Sequence, residues 1–277
     1  MTTVEALEVT EPGLYPDMPE DVYHRDPVPG GSLSSSGARK LLETCPARFD
    51  YERRNPPPSR DEFDLGKAFH TSVLGVGAET VVVDAKNWLT KDAKEQRAAA
   101  YAAGKVPLLA HQAAEVNAMT DAVRSHPLAG TLFSKGDVEQ SLFWTDERTG
   151  IWRRARLDLL RTDAIVDLKS CESADEEHVT KAIARYGYHA QADYYREAAR
   201  ALGLGELPFL FVFVEKRPPH LIHVVQLGVD ELAAGRHLNN KAIDLFAECQ
   251  RTGEWPGYAS DITTISLPPY ALRALEF

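Results

Sequence analysis

Residues 152–169 read WRRARLDLLRTDAIVDLK, and this run decides the fold. Side chains alternate faces along a strand. In a strand over Ile151–Leu160, Arg154, Arg156 and Asp158 therefore share one face, while Arg153 points to the other. Ala164–Lys169 forms a second strand, with Ile165, Asp167 and Lys169 on one face. The Arg161–Asp163 connection is short enough for an antiparallel hairpin, which brings Asp158 close to Asp167. Two carboxylates and an ammonium then meet at one point on a sheet. Asp167 lies in an apolar run, Ala164-Ile165-Val166-Asp167-Leu168, where a charge requires a partner. Paired carboxylates raise each other's pKa unless a cation sits between them. A hard divalent ion with oxygen ligands, Mg²⁺ or Mn²⁺, suits the set. A solvated surface hairpin is the alternative for so short a tripeptide as Asp-x-Lys.

Outward from this hairpin the pattern is mixed. Val138–Thr145 alternates as a preceding strand, with a turn over Asp146–Gly150. Downstream, Asp175–Gly203 is helical with a break at Gly187, and it carries Gln191 and Tyr195 four apart on one helix face. Phe209–Glu215 and Leu221–Leu227 are strands around Pro218 and Pro219, and Val229–Arg251 is a long amphipathic helix. Upstream, the Ser34–Ser36 run caps a helix to Glu43 that ends at Pro46. A loop spans Arg53–Arg60, a helix starts near Phe63 or Asp64, and Thr80–Val83 is a strand. Two helices over Asp92–His126 are interrupted at Gly104–Pro107. The expected fold is α/β: one central mixed sheet flanked by helices. The expected division is an extended arm over 1–32, a core over 33–252 and a tail over 253–277.

Composition bounds the function. The 277 residues are 44% hydrophobic, enough for one large core. A formal net charge of −10 argues against a surface coated for nucleic acid or anionic lipid. The acids crowd the N-terminal arm (Glu5, Glu8, Glu11, Asp17, Glu20, Asp21), however, whereas arginines crowd the strand entering Asp158, so a local basic channel is compatible with the total. Cys45, Cys171 and Cys249 form no CxxC pair, which points to a reducing compartment. The sequence lacks a long apolar run, so no membrane partner is expected, and the first residues do not resemble a secretory signal.

Four pieces stand in order: Gly66-Lys67-Ala68-Phe69-His70 on a helix, Asp158 in a strand, Asp167-Leu168-Lys169, and Gln191-Ala192-Asp193-Tyr194-Tyr195. Together they resemble the PD-(D/E)xK nuclease superfamily, in its RecB/RecE-like branch of phage and bacterial exonucleases, over roughly Tyr23 to the C-terminus. Leu33–Ser36 with Cys45-Pro46 resembles that branch's opening helix, and Trp255–Tyr258 with Leu267–Ala271 its tail. The resemblance implies a restriction-endonuclease-like core and a Mg²⁺- or Mn²⁺-dependent deoxyribonuclease, more in the manner of a double-strand-end exonuclease than an endonuclease. It implies that Asp158, Asp167, the Leu168 carbonyl and His70 bind the metal, that Lys169 positions the attacking water, and that Gln191 and Tyr195 orient Lys169 or the scissile strand. Arg154 and Arg156 are candidate DNA contacts, with Lys67, Arg185 and His189 weaker ones; Glu139, on the preceding strand, is a low-ranked candidate for a carboxylate supporting the metal ligands.

Iron–sulfur members of the group carry one cysteine near the opening helix and three near the C-terminus. Nothing after Cys249 completes such a set, so no iron–sulfur cluster is expected. A recombination role, a single-strand annealing partner, a ring of subunits and a bacterial or phage-infected cytoplasm follow from the resemblance alone. A non-catalytic DNA-binding or assembly module of the same fold is the competing reading.

Overall fold

A computed structural model of the chain describes residues 7–55 and 64–268. The loop expected at Arg53–Arg60, Phe63 and the end of the tail motif at Leu267–Ala271 lie partly or wholly outside these residues. The chain opens with β1 (Gly13–Tyr15), the short helix α1 (Glu20–His24) and β2 (Leu33–Ser34). α2 (Ser35–Glu43) follows, with the Ser34 hydroxyl accepting from the Gly37 N–H at 3.1 Å as its N-cap. Pro46 does not merely end this helix. It is the first residue of α3 (Pro46–Arg54), where a missing N–H costs nothing.

Next come α4 (Asp64–Leu74), β3 (Thr80–Val83) and α5 (Lys91–Ala102). β4 (Val106–Leu109), α6 (Ala110–Ser125) and α7 (Pro127–Leu132) complete this half. The interruption expected at Gly104–Pro107 thus leads into a strand. β4 pairs in parallel with β3 in a separate two-stranded sheet, so Thr80–Val83 is not part of the central one.

The remaining elements are β5 (Asp137–Thr145), β6 (Trp152–Leu160), β7 (Ile165–Cys171), α8 (Glu176–Tyr186), α9 (Tyr188–Ala201), β8 (Phe209–Glu215), β9 (Ile222–Gln226) and α10 (Val229–Thr252). They follow the sequence reading closely. Among the described residues, the central sheet has seven strands, in the order β1-β5-β6-β7-β8-β9, with β2 added in parallel to β6. β5–β6, β6–β7 and β8–β9 are antiparallel, whereas β7 and β8 are parallel across the α8–α9 crossover. This is the α/β fold expected, a mixed sheet flanked by helices.

Both faces of the sheet are buried, and the alternation along β8 shows how. Phe209, Phe211 and Phe213 pack with Val179, Ile183, Ala192 and Tyr194 of α8 and α9. Val212 and Val214, one step out of phase, pack with Ala68 and Phe69 of α4 and Met119 of α6. Arg153 is fully buried on the α9 side and ties β5–β6 to that helix. It pairs with Asp146 at 3.2 Å and Glu197 at 2.6 Å, and its guanidinium lies over the rings of Trp144 and Tyr194.

The N-terminal arm is built into the fold rather than draped over it. β1 extends the sheet edge, and Val9, Met18, Tyr23 and Val28 close over Phe143. The Arg154 guanidinium anchors it through the Ser32 carbonyl and the Asp26 carboxylate, each at 2.8 Å. Among the described residues, no helix is long and apolar enough to cross a membrane.

Candidate active site

The ladder between β6 and β7 has only two residue pairs, Leu159↔Val166 and Leu160↔Ile165. Beyond them the strands part, and main-chain groups there need other partners. The Leu168 N–H finds one in the Asp158 carboxylate, donating to Oδ2 at 2.8 Å. The hairpin connection expected at Arg161–Asp163 therefore sets Asp158 beside the Asp167-Leu168-Lys169 strand, as the spacing requires. On the other side, the β5–β6 register skips the position where Glu139 would face Asp158. Glu139 takes a left-handed backbone there, φ 51°, a conformation that costs a non-glycine residue about 1–2 kcal/mol. Such strain gathers at functional sites.

Asp167 is buried in the splay between the strands. Its Oδ1 accepts from the Gln191 side-chain amide at 2.7 Å, and its Oδ2 lies 2.5 Å from Lys169 Nζ. Beyond this ion pair, Asp167 Oδ2 has no other partner among the described residues. Tyr195, one helical turn beyond Gln191, sets its ring edge-on to Phe209. α9 can present both residues to the strand because it packs directly on the sheet, and Gly235 of α10 lets the two helices approach to backbone contact. His70 arrives from α4. Its Nδ1 is 3.5 Å from Asp158 Oδ2.

The electrostatics are those of an overloaded acidic centre. Burial pushes the Asp158 carboxyl well above its ordinary range, and the nearby Asp167 charge pushes it further; Lys169 and the Leu168 N–H only partly oppose this. Burial would lower the Lys169 ammonium, but Asp167 and Asp158 outweigh it, and its pKa is raised. His70 is lowered by burial and then by the Lys169 charge, so its ring is neutral at neutral pH. A protonated lysine, a neutral imidazole and a carboxylate held against its preference make a site short of positive charge.

The chemistry of the donors fits a hard divalent ion. Asp158, Asp167, the Leu168 carbonyl and the His70 ring offer oxygens and one nitrogen. Among the described residues, no three His, Cys, Asp or Glu side chains come together as a metal-binding group. The carboxylates are instead engaged by Leu168, Gln191 and Lys169. A centre of this kind suits an ion that keeps much of its water, as Mg²⁺ does.

The site opens into a groove of about 1460 Å³. His70, Glu139, Asp158, Ser170 and Tyr195 line its floor, with the Pro16–His24 part of the arm on one wall. The candidate DNA contacts divide. Lys67 lines the groove and is held 3.5 Å from Glu20 of the arm. Arg154 and Arg156 also line it, but are mostly buried and engaged. Arg156 bonds Glu139 at 2.6 Å, Ser141 at 2.7 Å and the Met18 carbonyl at 3.0 Å. Arg185 and His189 lie apart from the groove, beside Arg39 and Gly187 in a smaller cleft of about 180 Å³. Sequence reasoning ranked Glu139 low and missed Tyr188, whose ring lies under Lys169 Nζ at 4.9 Å. No motif marked either residue, since a strand glutamate and a helix tyrosine are ordinary until register places them.

A mixed sheet with two acids and a lysine where its central strands splay defines the PD-(D/E)xK class. Residues 34–268 match the model of a family described as a PDDEXK-like domain of unknown function (DUF3799), and the chain belongs to that family. Among solved structures, it resembles a provisionally named exonuclease from Eubacterium rectale. That likeness has a TM-score of 0.61 and 15% identity and covers 88% of this chain and 92% of that one; at such identity it shows the fold alone. A structure of SSO0001 aligns at a TM-score of 0.29 and 15% identity over 66% of this chain and 85% of that one, too distant to carry weight. No curated protein matches the chain.

Proposed function

We propose that the protein is a divalent-metal-dependent deoxyribonuclease that degrades duplex DNA from its ends. The observation that carries this reading is the convergence of Asp158, Asp167 and Lys169 where β6 and β7 part, with Asp158 lining an open groove. In the hydrolysis, a water oxygen bonds to phosphorus, the P–O3′ bond breaks, and the water's proton passes to the leaving oxygen. A 3′-hydroxyl and a 5′-phosphate result. Asp158, Asp167, the Leu168 carbonyl and His70 would hold Mg²⁺ or Mn²⁺, which supplies Lewis-acid polarisation of the phosphate and a lowered pKa for bound water.

The chain's own residues do the rest. Lys169, kept protonated by its two acidic neighbours, is suited to orienting water and stabilising phosphoryl charge rather than to removing a proton. Gln191 fixes the rotamer of Asp167, and Tyr195, one helical turn on, lines the groove with Asp158. Action at DNA ends, a role in recombination and an annealing partner rest on the resemblance to RecE-like enzymes.

The test is incubation with linear and with covalently closed circular duplex DNA, in Mg²⁺ or Mn²⁺. Release of nucleotides from the linear form alone supports the proposal. Cleavage of the circle would make the enzyme an endonuclease, and no hydrolysis with either ion would overturn the reading.

A further inference from the structure

A series of aromatic rings leads from Lys169 to the surface. Lys169 Nζ lies 4.9 Å from the ring centroid of Tyr188, the first residue of α9. The inner side of that ring meets Phe211 at 5.6 Å and Phe213 at 6.2 Å. Its next neighbour is Tyr186, the last residue of α8, at 5.6 Å with the planes 36° apart. Gly187 between them is left-handed, φ 65°, which lets one tight turn place consecutive helix ends ring against ring. Tyr188 is partly buried and packs against the core. Tyr186 is more open, with 44% of its surface exposed.

One arginine lies against the exposed ring, and a second holds its backbone. The Arg185 guanidinium is 5.6 Å from its centroid, and among the described residues Arg185 has no carboxylate partner. Arg39 Nη1 donates to the Tyr186 carbonyl at 2.5 Å and pins the turn. An exposed tyrosine with an arginine beside its ring, held on a stack that starts at the site lysine, has the features of a platform for a nucleobase.

We infer that Tyr186 is a stacking site for an unpaired nucleobase of the strand being cut, with Arg185 taking an adjacent phosphate. The inference rests on the nuclease reading and adds a substrate preference to it. Every base offers a π-face, so the platform reads no sequence. A paired base has its faces covered by its neighbours in the duplex, so the platform favours single-stranded or frayed ends over blunt ones.

The experiment uses the full chain in EDTA, with a single-stranded oligonucleotide carrying 2-aminopurine and a blunt duplex of the same length. The wild type is assayed in parallel for Mg²⁺-dependent hydrolysis. Wild-type binding should quench the 2-aminopurine fluorescence. Tyr186→Ala should weaken single-strand binding about 5- to 150-fold, the span of one lost base–aromatic stack, weaken blunt-duplex binding much less, and abolish the quench. Tyr186→Phe, which keeps the ring, should retain both affinity and quench. Arg185→Gln should reduce the slope of log K against log salt for the single strand by about 0.7. Single-strand affinity and quench unchanged in Tyr186→Ala, in a protein whose wild type hydrolyses DNA, would overturn this inference and leave the nuclease reading intact. Equal losses on single strand and blunt duplex would also overturn it. A wild type that neither binds nor hydrolyses DNA would overturn both.

Discussion

Gln191 donates from its side-chain amide to Asp167 Oδ1 at 2.7 Å, so a helix on one face of the sheet sets the rotamer of a carboxylate on a central strand. Removal of that amide frees a buried acid to turn toward Lys169 alone. Gln191→Ala is expected to raise the Mg²⁺ concentration for half-maximal activity about 10- to 100-fold, the usual effect of losing a group that orients a metal ligand. A metal titration of the initial rate checks this. An unchanged half-saturation point would show that Asp167 does not depend on Gln191.

Asp158 is held against its chemistry in the metal-free protein. Its carboxyl is raised well above 3.8 by burial and then by Asp167, so the folded state binds a proton that the unfolded state has released. Stability of the metal-free protein therefore falls as pH rises from about 4 through the raised folded value. Asp158→Asn keeps an oxygen for the Leu168 N–H and removes the charge. It should abolish activity while raising Tm in EDTA at pH 7, by about 2–4 °C for each kcal/mol of the cost of burying an ionisable acid that is removed. Thermal melts with and without Mg²⁺ test this, and a lower Tm in EDTA would count against a strained centre.

The approach of α10 to α9 depends on Gly235. A Cβ there would stand 2.3 Å from the His189 carbonyl oxygen, which belongs to a helix backbone and cannot rotate away. Gly235→Ala should cost about 1–3 kcal/mol. Because α9 carries Gln191 and Tyr195, it should also reduce kcat more than KM. A melt paired with steady-state kinetics shows whether the two losses travel together.

Arg154 stands on the strand face expected to meet DNA, yet its guanidinium is spent on Asp26 and Ser32. Arg154→Ala should loosen the arm and cost about 1.5–3 kcal/mol through lost charge-assisted hydrogen bonds. Limited proteolysis should then cut within residues 7–32, with little change in the salt slope of DNA binding. A slope lowered by about 0.9 would instead assign Arg154 to a phosphate.

Much of this was legible in the sequence because it rests on short-range rules. Alternation on β6 placed Asp158 with Arg154 and Arg156, and the tight turn at Arg161–Asp163 placed Asp158 beside the strand of Asp167. Helical spacing put Gln191 and Tyr195 on one face. Contacts between distant segments were not legible. The sequence shows an acidic, proline-marked arm but not that β1 would pair with β5, or that Arg156 would reach the Met18 carbonyl. β4 was hidden because Val106–Leu109 is a short apolar run between two helical stretches, where periodicity cannot tell a strand from a helix end. Glu139 was hidden for another reason: its left-handed turn opposite Asp158 comes from the register of two strands, not from any local preference of glutamate.

The central claim is that Asp158, Asp167 and Lys169 form one hydrolytic centre. Single-turnover hydrolysis of end-labelled linear duplex DNA in Mg²⁺, comparing the wild type with Asp167→Asn and Lys169→Met, tests it most directly. The account predicts that both substitutions lower the rate by at least about 10²-fold, the scale of losing one electrostatic group of a catalytic site, while both proteins still bind the DNA. A rate in Asp167→Asn equal to that of the wild type would contradict it.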